Sequence, residues 1–299
     1  LPAIKQEQSR IAETALPPTS HIFASDDNRV SQTGRLWQSD YHTDVIQHMN
    51  FELKNVPPRT AQPRDTGLTM VMDKGLSVRE AEDFMAIGSA YTDLVKLGWT
   101  TAYLTPRLDE KLAVYRNAGA NVYFGGTLFE AFLVRDQFDD YLRLLDKYKL
   151  AYAEISDGSL SMEHDVKCEY IARLSKYVTV ISEIGSKDDT KIMAPYKWID
   201  CMKAELQAGS WKLIAESRES GNVGLYRETG EVRQGLVDEI ITQVPSDKVI
   251  WEAPLKVQQV WFIKLLGTNV NLGNISPSEI LALETTRLGL RGDTFSTFL

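Results

Sequence analysis

Residues 151–185 read AYAEISDGSLSMEHDVKCEYIARLSKYVTVISEIG. Within them, 151–156 is a short apolar run ending in polar groups, 163–177 carries an amphipathic helical pattern, and 178–185 is a second apolar run. Apolar runs of five to eight residues without strict alternation suit strands buried on both faces of a parallel sheet. A strand, a helix and another strand in succession imply a right-handed βαβ unit. The same cadence extends in both directions. Apolar runs occupy 68–73, 93–98, 121–125, 151–156, 178–185, 211–218, 248–254 and 269–274. Helical patterns occupy 77–89, 108–118, 138–148, 163–177, 196–208, 232–244, 256–266 and 276–289. Eight such units in about 230 residues close most simply into a (β/α)8 TIM barrel. No glycine-rich dinucleotide fingerprint follows the first strand, where the chain reads Asp73-Lys74-Gly75-Leu76.

The first fifty residues have another texture. Residues 1–36 are polar and turn-rich, a short helix is expected from Ser39 or Asp40 to Met49, and a linker with Pro57, Pro58 and Pro63 follows. The expected organisation is therefore an N-terminal arm over 1–50 and a barrel over 51–299.

The 299 residues carry 33 Lys and Arg against 41 Asp and Glu, a net charge of −8, which argues against a broad nucleic-acid or anionic-membrane surface. Cys168 and Cys201 form neither a disulfide framework nor a zinc spacing, and they read as packed helix residues. A reducing cytoplasm is the simplest setting, with no run long enough to span a membrane. The arm is compatible with a homo-oligomer contact.

In a barrel the chemistry sits at the C-terminal ends of the strands. Those ends here carry Asp73 and Lys74, Lys96, Gly125-Gly126-Thr127, Glu154, Glu183 and Lys187, Glu216 and Arg218, Glu252, and Asn271 with Asn274. Four carboxylates (Glu154, Glu183, Glu216, Glu252) converging on one ring call for a compensating cation. Hard oxygen donors with no His or Cys among them favour Mg²⁺, with Mn²⁺ an alternative. His21, His42, His48 and His164 lie away from the strand ends, which argues against histidine catalysis. Lys74, Lys96, Lys187, Arg218, Lys256 and Arg291 add positive charge at the rim, and the turn at Gly273-Asn274-Ile275-Ser276 offers backbone N–H groups to a phosphate. The residues alone support a metal-assisted reaction on a small phosphorylated or polycarboxylated molecule.

At these strand ends the chain resembles the phosphosulfolactate synthase family. The resemblance rests on Gly67-Leu-Thr-Met-Val-Met-Asp-Lys-Gly75, Asp93-Leu-Val-Lys-Leu-Gly-Trp99, Tyr123-Phe-Gly-Gly-Thr-Leu-Phe-Glu130, Glu154-Ile-Ser-Asp-Gly158, Ser182-Glu-Ile-Gly185, Arg218-Glu-Ser-Gly221 and Glu252-Ala-Pro254. It continues through Gln258-Gln-Val-Trp-Phe-Ile263, Asn269-Val-Asn-Leu-Gly-Asn274 and Gly289-Leu-Arg-Gly-Asp-Thr294, and so runs from about residue 51 to 294. It implies a lyase-type barrel enzyme that adds sulfite to phosphoenolpyruvate with Mg²⁺ present, as in coenzyme M biosynthesis or sulfolactate formation. Charge pushed into the substrate carboxylate needs a metal and cations nearby, and a lysine returns a proton to the adjacent carbon. The resemblance assigns Lys187 as that acid; Lys74 and Lys96 are further catalytic candidates from their own positions, since a lysine at any of these three places could also form a Schiff base. It assigns Glu154, Glu183 and Glu216 to metal, and Arg218, Ser220, Gly221, Asn271 and Asn274 to substrate, while Arg291 joins the substrate set because its planar guanidinium suits a carboxylate or sulfonate. Leu255 and Val257 stand where the family often has Gln and Ser, and Ser186 where lysine is common. These departures suggest a less polar mouth, and with it two other readings. One is related enolate chemistry on another substrate in specialised metabolism. The other is a noncatalytic role like that of heat-stress relatives of the family.

Overall fold

A computed structural model describes residues 49–185, 193–218 and 220–298. The arm expected over 1–50 lies outside them, save for its last two residues. Eight strands, β1 (Thr69–Asp73), β2 (Leu94–Leu97), β3 (Asn121–Phe124), β4 (Tyr152–Ile155), β5 (Thr179–Ile184), β6 (Ser210–Ala215), β7 (Val249–Glu252) and β8 (Leu272–Ile275), form one parallel sheet. Their order is β3-β2-β1-β8-β7-β6-β5-β4, and the outer strands β3 and β4 lie side by side. The expected (β/α)8 barrel is the observed fold, and all eight expected strands are present within a few residues of their expected bounds.

The helices are α1 (Val78–Gly88), α2 (Leu108–Asn117), α3 (Gly126–Leu133), α4 (Phe138–Lys147), α5 (His164–Leu174), α6 (Pro195–Ala208), α7 (Gln234–Gln243), α8 (Lys256–Leu266) and α9 (Ile280–Arg287). α3 was not anticipated. Capping makes α1 begin where it does: the Ser77 hydroxyl accepts the Glu80 N–H while the Glu80 carboxylate accepts the Ser77 N–H. Among the described residues no helix is long and apolar enough to cross a membrane.

Side chains on each strand alternate between two destinations. Val71, Val95, Phe124, Ala153, Ile155, Leu213 and Trp251 face the helices in the main core. Met70, Leu94, Tyr123, Ile181, Ile214 and Ile250 form a separate apolar cluster inside the barrel. Two residues further along, on the same side of each strand, stand Met72, Lys96, Gly125, Glu183, Glu216 and Glu252. A strand that is apolar at one inward position and ionisable at the next thus gives a dry barrel centre with a charged layer above it.

Between β3 and β4 no ladder hydrogen bonds form among the described residues, and side chains close that seam. The Gly126 N–H donates to Glu154 Oε1 at 2.7 Å, the Ser156 hydroxyl donates to Glu130, and the Ser159 N–H donates to Glu130 Oε2 at 2.9 Å. The opposite, N-terminal end is held by the segment before β1. Arg59 pairs with Glu284 at 2.7 Å and Arg64 with Asp93 at 2.9 Å, all with nearly buried side chains, and Asp93 also accepts the Thr69 N–H at 2.8 Å.

Candidate active site

The charged layer opens into a cavity of about 310 Å³ at the C-terminal end of the strands. It is lined by carboxylates Glu154, Glu183, Glu216 and Glu252, by Lys96, Arg218 and Trp99, by the turn Gly125-Gly126-Thr127, and by Asn274. Lys96, from β2, stands at its centre. Its ammonium lies 3.0 Å from Glu154, 3.3 Å from Glu252 and 3.5 Å from Glu183. Burial alone would lower its proton affinity, and the three carboxylates together reverse that and hold it well above the ordinary lysine range. The same burial raises Glu154, against the opposing pull of Lys96. Burial pushes Glu252 up to about 7. Three of the four carboxylates, Glu154, Glu183 and Glu252, thus share one ammonium.

Glu183, Glu216 and Glu252 each offer an oxygen, all within 4.8 Å of one another, and all three are buried. Local geometry fixes this trio. Gly185 has φ +136°, and a side chain there would meet Glu216 Cβ at 2.5 Å, so glycine lets the ends of β5 and β6 approach. Glu252 Oε2 accepts the Ser217 N–H at 2.8 Å. Glu154 is turned elsewhere, towards the seam and Lys96. The three carboxylates that come together are Glu183, Glu216 and Glu252, while Glu154, expected beside Glu183 and Glu216, points to the seam. Glu252 was legible as a strand-end carboxylate, but its place among the three depends on the barrel's closure.

Asn274 reaches the cavity through an irregularity in β8. Thr69 pairs with Leu272 but Val71 with Ile275, so β8 carries one extra residue there, and Asn274 has φ +55°. Such a bulge re-aims a side chain, and Asn tolerates the left-handed conformation. Among the described residues its buried Oδ1 has no hydrogen-bond partner.

Of the other expected site residues, Arg218 and Ser220 line the cavity. Gly221, at φ +70°, shapes the loop, and its carbonyl accepts from Gln258 Nε2 at 2.9 Å. Lys74 is exposed at the rim, its ammonium 5.2 Å above the centre of the Trp99 ring. Asn271 is not in the site. It lies before β8 at the N-terminal end, accepting the Leu68 N–H at 3.0 Å and donating to the Asp247 carbonyl at 2.9 Å. Arg291 sits in the C-terminal segment and is not among the lining residues, and Lys256 pairs with Asp293 at 2.5 Å. Leu255 and Val257 are 39% and 68% exposed and are not among the lining residues. Lys187 and Ser186 lie outside the described residues. Sequence reasoning missed Trp99, Met72 and Ser217 as lining residues.

The family model described as (2R)-phospho-3-sulfolactate synthase (ComA) matches residues 57–293, nearly the whole barrel. The chain belongs to the phosphosulfolactate synthase family. It is 42% identical over 244 residues to the phosphosulfolactate synthase of Methanothermobacter thermautotrophicus, covering 80% of this chain and 95% of that protein. It is 39% identical to the phosphosulfolactate synthase of Bacillus subtilis, covering 83% and 99%. Its phosphosulfolactate synthase relative in Methanocaldococcus jannaschii is 40% identical, over 77% of this chain and 94% of that one. Among solved structures, 3-hexulose-6-phosphate synthase from Salmonella typhimurium superposes with a TM-score of 0.50 at 13% identity, over 75% of this chain and 100% of that one. That last likeness shows the barrel fold alone. Membership in the phosphosulfolactate synthase family makes the lined cavity the candidate active site of an enzyme.

Proposed function

We propose that this chain adds sulfite to phosphoenolpyruvate to form phosphosulfolactate, with Mg²⁺ held by Glu183, Glu216 and Glu252. The observation that carries the metal assignment is the trio of buried carboxylate oxygens within 4.8 Å of one another. Among the described residues the three donors are all carboxylate oxygens, a hard set that suits Mg²⁺. The names of the relatives support the reaction and its small anionic substrates. A divalent cation bound there would neutralise the carboxylates and draw off the negative charge that develops on the substrate's carboxylate.

This chain's own residues carry the remaining work. Arg218 presents a planar guanidinium to an anionic group, and Thr127 and Ser220 also line the cavity. Lys96 keeps Glu154, Glu183 and Glu252 in place and keeps its proton, so it serves as a fixed positive charge. In the reaction the sulfite sulfur forms a bond to the methylene carbon, and the π pair moves towards the carboxylate. The adjacent carbon then takes a proton from an ammonium. Lys187 is the proposed donor, two residues beyond Gly185 in the chain.

The test is phosphorus NMR of the protein with phosphoenolpyruvate, sulfite and Mg²⁺. A new phosphate-ester resonance that needs all three, disappears with chelator and returns with added Mg²⁺ is the expected result. Phosphoenolpyruvate left unconsumed in the complete mixture would overturn the reading.

A further inference from the structure

Glu183, Glu216 and Glu252, which come together at the ends of β5, β6 and β7, share a second property. The main-chain carbonyl of each is held by a group from outside the sheet. The Lys167 ammonium donates to the Glu183 carbonyl at 2.5 Å. The Leu225 N–H donates to the Glu216 carbonyl at 3.1 Å. The Tyr226 hydroxyl donates to the Glu252 carbonyl at 2.6 Å.

Each tie is itself anchored. Lys167, on α5 and 1% exposed, also meets Asp157 Oδ1 at 2.8 Å, after β4, and Glu205 Oε1 at 2.9 Å, on α6. Three acceptors match the three protons of an ammonium. A buried lysine is a costly way to fill space, and it persists only with acceptors placed this well. Leu225 and Tyr226 lie on the loop after β6, and both are buried. There the Arg233 N–H donates to the Leu225 carbonyl at 2.8 Å. Gln258, buried on α8, donates to the Gly221 and Gly230 carbonyls at 2.9 and 3.2 Å. Gly224, at φ +69°, lets the loop pass this close, because a side chain there would collide with the Glu216 carbonyl.

Three carboxylates within 4.8 Å of one another repel when no cation lies between them. Strand ends free to part would relieve that repulsion, and a cation would have to draw them together again on binding. Ties on the main chain keep the ends from parting, so the approach is completed in folding. Residues that orient metal ligands from behind typically change metal affinity by about 10–100-fold.

We propose that Lys167 and Tyr226 are positioning residues that hold Glu183 and Glu252 at the spacing a divalent cation needs. Neither lines the cavity, so both act through the carboxylates. This rests on the reading of Glu183, Glu216 and Glu252 as the Mg²⁺ carboxylates.

The test is calorimetric titration of the full chain with Mg²⁺ for the wild type, Tyr226→Phe, Lys167→Met, Glu183→Gln and Lys212→Met, with melting temperatures in chelator alongside. Lys212 is the control, an equally buried lysine that donates to the Asp65 and Asp247 carbonyls at the N-terminal end of the barrel. Tyr226→Phe removes one oxygen and keeps the ring, and it should raise the Mg²⁺ Kd about tenfold. Lys167→Met takes a cation from Asp157 and Glu205 as well, so both affinity and melting temperature should fall. Lys212→Met should lower the melting temperature and leave the Mg²⁺ Kd unchanged. Wild-type affinity in Tyr226→Phe would overturn the proposal, even where Lys167→Met fails to fold. Equal weakening in Lys212→Met would also overturn it, since the loss would then follow stability rather than position. A wild type that binds no Mg²⁺, or undiminished binding by Glu183→Gln, would sink the metal reading itself and the proposal with it.

Discussion

Lys96 is ringed by three buried carboxylates, and burial tells clearly on Glu252. Taken out of water, its carboxyl is raised from about 4.5 to about 7. A carboxyl whose folded pKa is raised binds its proton more tightly in the folded state than in the unfolded one. Its contribution to stability is complete below about 4.5 and is lost as the pH rises through about 7. In chelator, the melting temperature of Glu252→Gln should therefore gain on that of the wild type between pH 5 and 8. Thermal unfolding at several pH values checks this, and a constant difference would show that Glu252 is already ionised at pH 5. The inward carboxylates were legible because each sits two residues beyond an inward apolar position, as in Ile181 to Glu183 and Ile214 to Glu216. Asn271 carried no such signal. Asn271 precedes β8 and bonds at the floor, whereas Asn274 stands near the far end of the strand, where the extra residue in β8 helps to aim it into the cavity.

At the scale of elements, β1 to β8 and the helices expected between them were readable because an apolar run and an amphipathic run differ in period. α3 escaped because Gly126–Leu133 is short, apolar on most sides and opens on two glycines that read as the end of a strand. Its start has structural weight, since Gly126 supplies the N–H that ties β3 to β4. A methyl group there would meet the Ser156 hydroxyl at 2.6 Å and Glu154 at 3.1 Å. Gly126→Ala should cost about 1–3 kcal/mol by overpacking, several degrees of melting temperature in a chain of this size. Hydrogen exchange should rise first in β3 and β4, whereas uniform acceleration across all eight strands would mean that the seam is no weaker than the rest.

Over the whole molecule, the two ends of the barrel divide stability from chemistry. Arg64 sits at the N-terminal end with its side chain 2% exposed and pairs with Asp93, 8% exposed, far along the strands from the carboxylate layer. Arg64→Met should leave Asp93 buried and unpaired, at a cost of about 3–5 kcal/mol. Denaturant unfolding reads that loss. Turnover at 25 °C should stay within about twofold of the wild type while the protein remains folded. A large fall in kcat would show that the two ends are coupled. The barrel was legible from its cadence, but the closure of its floor by Arg59 and Arg64 was not, because each of these side chains finds its partner more than twenty residues away.

The Glu154 carboxylate ties the Gly126 amide and also holds the Lys96 ammonium. This double attachment restricts how descendants of this chain can diverge. A lineage that replaced Glu154 to suit a new substrate would loosen the barrel's closure in the same step. Innovation at that position would therefore have to wait for a compensating change between β3 and β4.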